Sequence, residues 1–275
     1  MISEDLQKRV RTLRSLPTLP TVVQKLTQMV DVPKANISEV ADLIAHDQVL
    51  SAKVLRMVNS PFYGFPGRIA SITHALVLLG FNAVKGIVLG TSVFEIMEQT
   101  MVGLWTHSVG CAAAARLLAK QNRLKDPENY AVAGLLHDLG KVIIALNHPE
   151  GYRDIRQAAA ARRKPLFAVE AEALGVTHAE VGGWLAQQWN LPRILSEPMM
   201  FHHEPGRAKS APLHTAVVHV ADLLIKARGF GDSGDPFVPP RDAAAWERLM
   251  PPTENLPDLL DELDLALASA EDFLP

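Results

Sequence analysis

The chain has 275 residues, of which 48% are hydrophobic and 21% charged, a composition typical of a globular protein rather than a disordered one. Its formal net charge of -3 excludes a global basic field that would attract nucleic acid or anionic lipid, so we expect no direct nucleic-acid binding. The single cysteine, Cys111, excludes an internal disulfide, and its alanine-rich surroundings predict a small core residue in a reducing compartment.

Membrane association is not expected from the apolar segments. The first residues lack the apolar stretch that a signal peptide needs, and the longest apolar region, residues 75–90, is interrupted by Asn82 and Lys85. We therefore expect a cytoplasmic protein without a membrane-spanning segment. Its length is sufficient for one large or two small domains.

The first 100 residues are predicted to form short helices, because their apolar residues recur at helical spacing and no stretch alternates with period two. Asp47 is placed to cap one of these helices. Residues 59–67 form a loop rich in glycine, proline and aromatic residues. The predicted helices cover about residues 20–30, 47–58, 69–80 and 82–94, and a further one is capped by Asn36 or Ser38 and includes Val40 to Ile44.

The remaining residues continue the helical pattern, which predicts an all-α fold of roughly a dozen helices. Thr177 is an expected N-cap, and Gly175 an expected C-cap. Residues 229–240 have the composition of a linker, and the amphipathic tail helix that follows is expected to pack against its own domain. The predicted helices cover about residues 129–146, 149–163, 165–174, 178–189, 211–228 and 256–267.

The pair His137-Asp138 is the densest concentration of chemical groups in an apolar helix. Adjacent side chains on a helix point about 100° apart. The two side chains can therefore reach a common point only if that point lies between them. A cation between them would suit a neutral imidazole and a carboxylate. Lys141 lies one turn later on the same face, where it could meet a phosphate. The alternative is a buried histidine–aspartate hydrogen bond without a metal.

Further residues of the metal-ligand type follow in order, and Asp222 interrupts an otherwise apolar helix, so its buried carboxylate needs a partner. His219, three residues earlier, is either such a partner or a capping residue. From about Met101 to Arg228, the series resembles the HD phosphohydrolase superfamily and, in order and spacing, its dinuclear HD-GYP branch. The full set is His107, His137, Asp138, His178, His202, His203 and Asp222.

This resemblance implies two divalent transition ions. One would be held by His107, His137, Asp138 and Asp222, and the other by His178, His202 and His203, with Asp138 bridging the two. Imidazole and carboxylate ligands suit iron, manganese or zinc, and iron is favoured by analogy with the HD-GYP branch. Lys141 would be the catalytic residue that contacts phosphate. The competing hypothesis is a buried polar cluster that holds no metal.

A second resemblance, over about residues 13–228, is to the HDOD family, the HD-related output domain of bacterial signalling proteins. It rests on the Leu-Pro pairs at 16–17 and 19–20, the run from Asp47 to Leu55, the loop pairs Asn59-Ser60 and Tyr63-Gly64, and the stretch from Ile72 to Gly80. The resemblance implies an HDOD domain over residues 1–228. This would comprise an N-terminal helical lobe (1–100) and an HD-like metal-binding core (101–228), followed by the linker and tail helix (229–275).

Three functions remain in competition: a regulatory signalling domain, a phosphohydrolase or phosphodiesterase acting on a signalling nucleotide, and a purely structural metal domain. No Gly-Tyr-Pro follows His203-Glu204, the only Gly-Tyr is at Gly151-Tyr152, and Gly103 stands where the HD-GYP branch often has a carboxylate. These departures favour the regulatory domain with a dinuclear site, and the hydrolase is the alternative. The expected partners are a signalling protein and a nucleotide or phosphate ligand.

Overall fold

The computed structural model describes residues 21–29, 37–61, 63–65, 67–235, 237–250 and 255–270. Within these residues all regular elements are helices and there is no strand, which confirms the predicted all-α fold. The Leu-Pro pairs at 16–17 and 19–20 lie outside the described residues. One continuous hydrophobic core extends from Val23 to Ala270, so the residues on both sides of position 100 share it. The division of the chain into a lobe, a core and a tail stays a prediction.

In the described part of the chain five helices precede residue 101, and two of these begin at a side-chain cap that the structure describes. Asp47 accepts a hydrogen bond from the Leu50 N–H at 2.9 Å, as predicted, and Ser71 accepts one from the His74 N–H at 3.1 Å. The last of the five is long and packs against the helices that carry His137 and Lys141. The helices are α1 (Thr21–Gln28), α2 (Ile37–Ala45), α3 (Gln48–Val58), α4 (Ile72–Leu79) and α5 (Phe81–Thr100).

Hydrogen bonds within the loop after α3, and one from a later helix, hold this loop in place. Asn59 hydrogen-bonds both backbone groups of Ile69, each at 2.7 Å, and thereby closes the loop on itself. Arg116 donates from the next part of the chain to the Tyr63 carbonyl oxygen at 2.9 Å. The first helices are therefore connected to the later ones by polar contacts as well as by the shared core.

The later helices form a bundle in which most chain connections are short. The predicted single helix over 129–146 is wrong in one respect, because it is interrupted at His137 and Asp138. The backbone of Asp138 (φ -97°, ψ 8°) departs from helical geometry, and a new helix starts at Leu139. The helices are α6 (Leu104–Gln121), α7 (Pro127–Leu136), α8 (Leu139–Asn147), α9 (Pro149–Arg162), α10 (Leu166–Leu174), α11 (His178–Gln188), α12 (Arg193–Phe201) and α13 (Pro212–Arg228).

Residues 229–235 are not a free linker, which corrects the prediction for this segment. Ser233 and Asp235 are buried, and Asp235 accepts a hydrogen bond from the Leu166 N–H. Gly231 has φ +73°, and a Cβ there would collide with the His107 backbone nitrogen. Only glycine tolerates both the conformation and the close approach. The segment therefore packs over the start of α6.

The C-terminal helices α14 (Ala243–Leu249) and α15 (Leu256–Ala270) complete the described chain. As expected, α15 packs on its own domain: it contacts α6, and Asp264 forms an ion pair with Arg228. One helical stretch, Pro127–Asn147, has the length and apolarity to cross a membrane, but 89% of its most apolar window is buried inside the protein. It is the central core of the bundle.

Candidate metal centre

All seven predicted ligands converge at the centre of the bundle, and most of them lie at helix ends or breaks. A close backbone approach makes this possible. A Cβ on Gly140 would collide with the carbonyl of His178, so only glycine lets α8 and α11 lie this close. The ligands come from α6 (His107), the α7–α8 break (His137, Asp138), the start of α11 (His178), the end of α12 and the residue after it (His202, His203), and α13 (Asp222).

One half of the cluster, the carboxylate half, contains His107, His137 and Asp222 around the Oδ2 atom of Asp138. The His107 Nε2 atom lies 3.1 Å from Asp222 Oδ1 and 3.6 Å from Asp138 Oδ2. The His137 Nε2 atom lies 3.3 Å from Asp138 Oδ2 and 3.7 Å from Asp222 Oδ1. These donor atoms are spaced as the ligands of one small cation would be.

The other half, the imidazole half, contains His178, His202 and His203. The Nε2 atoms of His178 and His203 are 2.9 Å apart. Asp138 Oδ1 lies 3.3 Å from His178 Nε2 and 3.7 Å from His202 Nε2. The two oxygens of Asp138 thus face different halves. This is the arrangement that a bridging carboxylate requires, and the bridging role itself stays a prediction.

Four buried nitrogen and oxygen atoms of the cluster have no hydrogen-bond partner among the described residues: His137 Nε2, His202 Nε2, Asp138 Oδ1 and Asp222 Oδ1. An unpaired buried polar atom is costly, so native proteins nearly always satisfy such groups. Four orphaned atoms directed at one another are unfavourable in a closed protein interior. Two of these atoms lie in each half, and a cation in each half would remove the cost, so the residues fit divalent metal ions.

The hydrogen bonds on the outer sides of the rings support the same interpretation. His137 Nδ1 lies 2.7 Å from the Gly134 carbonyl oxygen, and His202 Nδ1 lies 3.1 Å from that of Pro198. A carbonyl oxygen only accepts, so Nδ1 must carry the proton in both rings. The Nε2 atoms then present lone pairs to the centre, which is the tautomer that binds a metal.

Sequence reasoning missed two outer partners, Glu170 and Lys226. Glu170 is buried and accepts from His178 Nδ1 at 2.6 Å and from the Tyr152 hydroxyl at 2.7 Å. Lys226 donates to Asp222 Oδ2 at 2.8 Å, which leaves Oδ1 directed at the centre. An acid and a lysine four residues apart on a helix were a readable signal for Lys226. Glu170 lies on a different helix from His178, so no local pattern indicated it.

The charges around the cluster favour a cation in the carboxylate half. Burial opposes ionisation of Asp138, but the His137 ring and the Lys141 ammonium outweigh it and hold the pKa of Asp138 well below its usual range. Burial likewise lowers the pKa of His137, yet the neighbouring Asp138 and Asp222 carboxylates raise it to about 9. This half therefore attracts positive charge, whether a proton or a metal ion.

In the imidazole half, burial lowers the pKa of His202 and His203 well below the usual value, and neighbouring rings add to the effect. Both rings are therefore held neutral. Neutral imidazole is the form that binds metals. Burial lowers the pKa of His178 as well, but the Glu170 carboxylate outweighs it and raises that pKa.

Lys141 is fully buried, and its ammonium donates to Asp138 Oδ2 at 2.6 Å and to the Ser233 carbonyl oxygen at 2.9 Å. It lies behind Asp138, under the segment that follows α13. Its predicted contact with phosphate stays a prediction. In this arrangement the ammonium orients and neutralises the Asp138 carboxylate.

Two further residues near the cluster make contacts that the sequence did not predict. His219 does not hydrogen-bond Asp222: its Nδ1 donates to the His202 carbonyl oxygen and its Nε2 accepts from the Asp242 N–H, at 2.7 and 2.9 Å. Its ring thus ties the end of α12 to the start of α14. Cys111 is buried as predicted, but its Sγ lies 3.4 Å from His107 Nε2, at the edge of the cluster. Burial, with Asp222 and Asp138, raises the pKa of its thiol.

His203 is the one predicted ligand that is only partly buried. Phe167 stacks on its ring, with centroids 4.4 Å apart. It also lines a surface groove of about 330 Å³ together with Arg207 and Arg241. A groove of this size is at the lower end of small-ligand pockets. Any ligand that approaches the cluster from this groove meets the imidazole half first.

The comparisons with known proteins agree with this geometry. A family model described as HDOD domain matches residues 16–205. An uncharacterised protein of Treponema pallidum (strain Nichols) is 28% identical over 193 residues, a match that spans 68% of this chain and only 37% of that relative.

Two solved bacterial structures resemble the chain over nearly its whole length. An HDOD domain protein of unknown function from Geobacter sulfurreducens has a TM-score of 0.74 and 26% identity, and the match covers 98% of this chain and 99% of that one. A candidate phosphohydrolase from Shewanella amazonensis has a TM-score of 0.66 and 25% identity, and the match covers 98% and 93% of the two chains.

Proposed function

The chain belongs to the HDOD family, and from that premise we propose that it is a metal-binding regulatory domain of bacterial signal transduction. The four orphaned donor atoms directed at one centre carry the metal-binding part of the proposal. The metal ligands would be His107, His137, Asp138, Asp222, His178, His202 and His203, divided between two ions with Asp138 bridging. Iron is the first candidate, and manganese or zinc are the alternatives.

The regulatory part of the proposal rests on how closed the centre is. Six of the seven ligands are nearly inaccessible, and the most exposed of them, Asp222, is 2% exposed. The Lys141 ammonium, which a hydrolase of this type would direct at phosphate, is engaged by Asp138 and Ser233. The Gly-Tyr-Pro segment of the HD-GYP branch is absent. A phosphate ester would find few groups to position it, and positioning supplies much of the rate advantage of an enzyme.

As a regulatory domain, the protein would act through a signalling partner and would be cytoplasmic. The resemblance to output domains of bacterial signalling proteins and the single buried cysteine support both statements. A nucleotide or another phosphate-bearing ligand is the expected small molecule. The surface groove supports this, because Arg207 and Arg241 line it beside His203; Glu204 and Asp242 line it too, and Arg207 is paired with Glu204.

A metal-dependent phosphohydrolase is the second candidate, favoured by the same groove and by the likeness to the Shewanella structure. Divalent ions held by these residues would act as Lewis acids toward a phosphate ester. The groove would admit the phosphate beside His203, where Arg207 and Arg241 could orient it.

A turnover assay separates the two functions. The purified chain is loaded with ferrous iron, manganese or zinc and incubated with cyclic dinucleotides, guanosine polyphosphates and p-nitrophenyl phosphate esters. We expect no hydrolysis above that of His137→Ala, with His46→Ala as the matched exposed-histidine control. Robust hydrolysis in the unaltered protein and in His46→Ala, abolished by His137→Ala, would overturn the regulatory proposal and establish the enzyme.

A further inference from the structure

Cys111 lies beside the carboxylate half of the cluster and is also a fully buried member of the hydrophobic core. It lies one helical turn after His107 on α6, so both side chains project from the same face of the helix. Its Sγ atom is 3.4 Å from His107 Nε2. The ligand atoms of His107, Cys111, His137 and Asp222 all lie within 4.8 Å of one another.

An independent observation indicates that these atoms surround a ligand. His137 Nε2 and Asp222 Oδ1 are both buried and without a hydrogen-bond partner among the described residues, and both belong to this group of four. A cysteine that serves only to fill space would be expected among apolar atoms. Here the sulfur instead faces two imidazoles and a carboxylate.

The spacing suits the ligands of one transition-metal ion. Two ligand atoms bound at about 2.0–2.3 Å lie about 2.8–3.8 Å apart for angles between about 90° and the tetrahedral angle. The pair Cys111 Sγ and His107 Nε2 is 3.4 Å apart, and Asp222 Oδ1 lies 3.1 Å from His107 Nε2 and 3.7 Å from His137 Nε2. An ion at their centre would need only small side-chain adjustments to bind all four.

We propose that Cys111, as a thiolate, is a fifth protein ligand, beside His107, His137, Asp138 and Asp222, of the ion in the carboxylate half, an inference that rests on the proposed metal binding. The thiol proton leaves to solvent when the ion binds, and no oxidation or reduction is involved. A thiolate in place of a further oxygen ligand makes this half selective for zinc or ferrous iron over manganese and magnesium. The imidazole half carries no such ligand.

Cobalt substitution tests the thiolate directly. The full chain is reconstituted with Co²⁺ and its near-ultraviolet absorption is recorded. We expect a thiolate-to-cobalt charge-transfer band in the unaltered protein and no such band in Cys111→Ser. Because the chain has one cysteine, any such band must come from Cys111. Ala114→Ser, which also places a buried hydroxyl on α6, should keep the band.

The outcomes separate this inference from the proposed function. Stoichiometric Co²⁺ without the band would overturn the thiolate ligand and leave metal binding intact. No bound Co²⁺, Zn²⁺ or Fe²⁺ would overturn both. Since loss of an outer partner of a ligand typically costs about 10- to 100-fold in metal affinity, loss of a direct ligand in Cys111→Ser should weaken Zn²⁺ binding at least about tenfold. An unchanged zinc affinity would contradict the proposal.

A measurement on the unaltered protein keeps the test valid if Cys111→Ser does not fold. X-ray absorption at the zinc edge of the zinc-loaded chain should detect sulfur at about 2.3 Å in addition to nitrogen and oxygen at about 2.0–2.1 Å. A shell of nitrogen and oxygen alone would exclude Cys111 as a ligand.

Discussion

The two halves of the cluster share Asp138 but differ in charge and in access. The carboxylate half joins Asp222 and Asp138 to two imidazoles and is closed from solvent, with Lys141 and Lys226 on its outer side. The imidazole half has three histidines and one carboxylate oxygen, Asp138 Oδ1, and it reaches the surface at His203. If the proposed metal binding holds, we expect the carboxylate half to retain its ion and the imidazole half to exchange its ion or meet a ligand.

The largest expected effect is that of Asp138→Asn, which keeps the shape of the side chain but removes its charge. Because the two oxygens face different halves, we expect metal to be lost from both, from about two ions per chain to near none. Plasma mass spectrometry of the purified variant measures this, with circular dichroism to confirm that it folds. His46→Ala and His148→Ala lie outside the cluster and should keep full metal content.

Variants confined to one half should remove one ion each. Asp222→Asn should empty the carboxylate half and His203→Ala the imidazole half, because each removes a ligand from only one group. Metal content near one ion per chain in each variant is the expected result. Loss of both ions from His203→Ala would mean that the halves are not separable and that the comparison fails.

Glu170→Gln should weaken the imidazole half alone. The carboxylate accepts from His178 Nδ1 and so orients the ring and increases its basicity. Losing such an outer partner typically lowers metal affinity by about 10- to 100-fold. Competition with a chelator should therefore remove one ion from the variant at lower chelator concentration and the other at an unchanged concentration. An equal shift for both ions would contradict the assignment of Glu170 to one half.

The smallest effect is expected from Tyr152→Phe. Its hydroxyl donates to Glu170, one step further from the cluster, so the metal content should not change. The buried Glu170 carboxylate would lose one partner, and a hydrogen bond to a charged group is worth about 1.5–3 kcal/mol of stability. Chemical denaturation measures this difference. A loss of metal in Tyr152→Phe would contradict this expectation. It would show that metal binding depends on the hydrogen bond from Tyr152 to Glu170 as well as on the ligands.

Much of the fold was readable from the sequence, because helical periodicity and caps such as Asp47 and Thr177 are local signals. The break in the helix at Asp138 could not be predicted, because an apolar helical pattern continues across it. The role of residues 229–235 was also missed, because their glycine-rich composition resembles that of a linker. Their burial depends on contacts with α6 and α10 that no local pattern records.

The candidate site could be predicted where it depends on the type of residue and on the order of these residues along the chain. The seven predicted ligands do converge, since histidine and aspartate are conspicuous in apolar helices. Cys111 was interpreted as a core residue because its neighbours in sequence are alanines, whereas in space its sulfur lies beside the predicted ligand His107. The engagement of Lys141 by Asp138 and Ser233 likewise depends on a tertiary contact.

The central claim is that the two halves hold two ions joined by Asp138, and anomalous diffraction from crystals of the metal-loaded chain tests it most directly. Data collected at the absorption edge of the bound metal should show two peaks about 3.5–4 Å apart, one on each side of the Asp138 carboxylate. A single peak, or peaks only at surface histidines, would contradict the account.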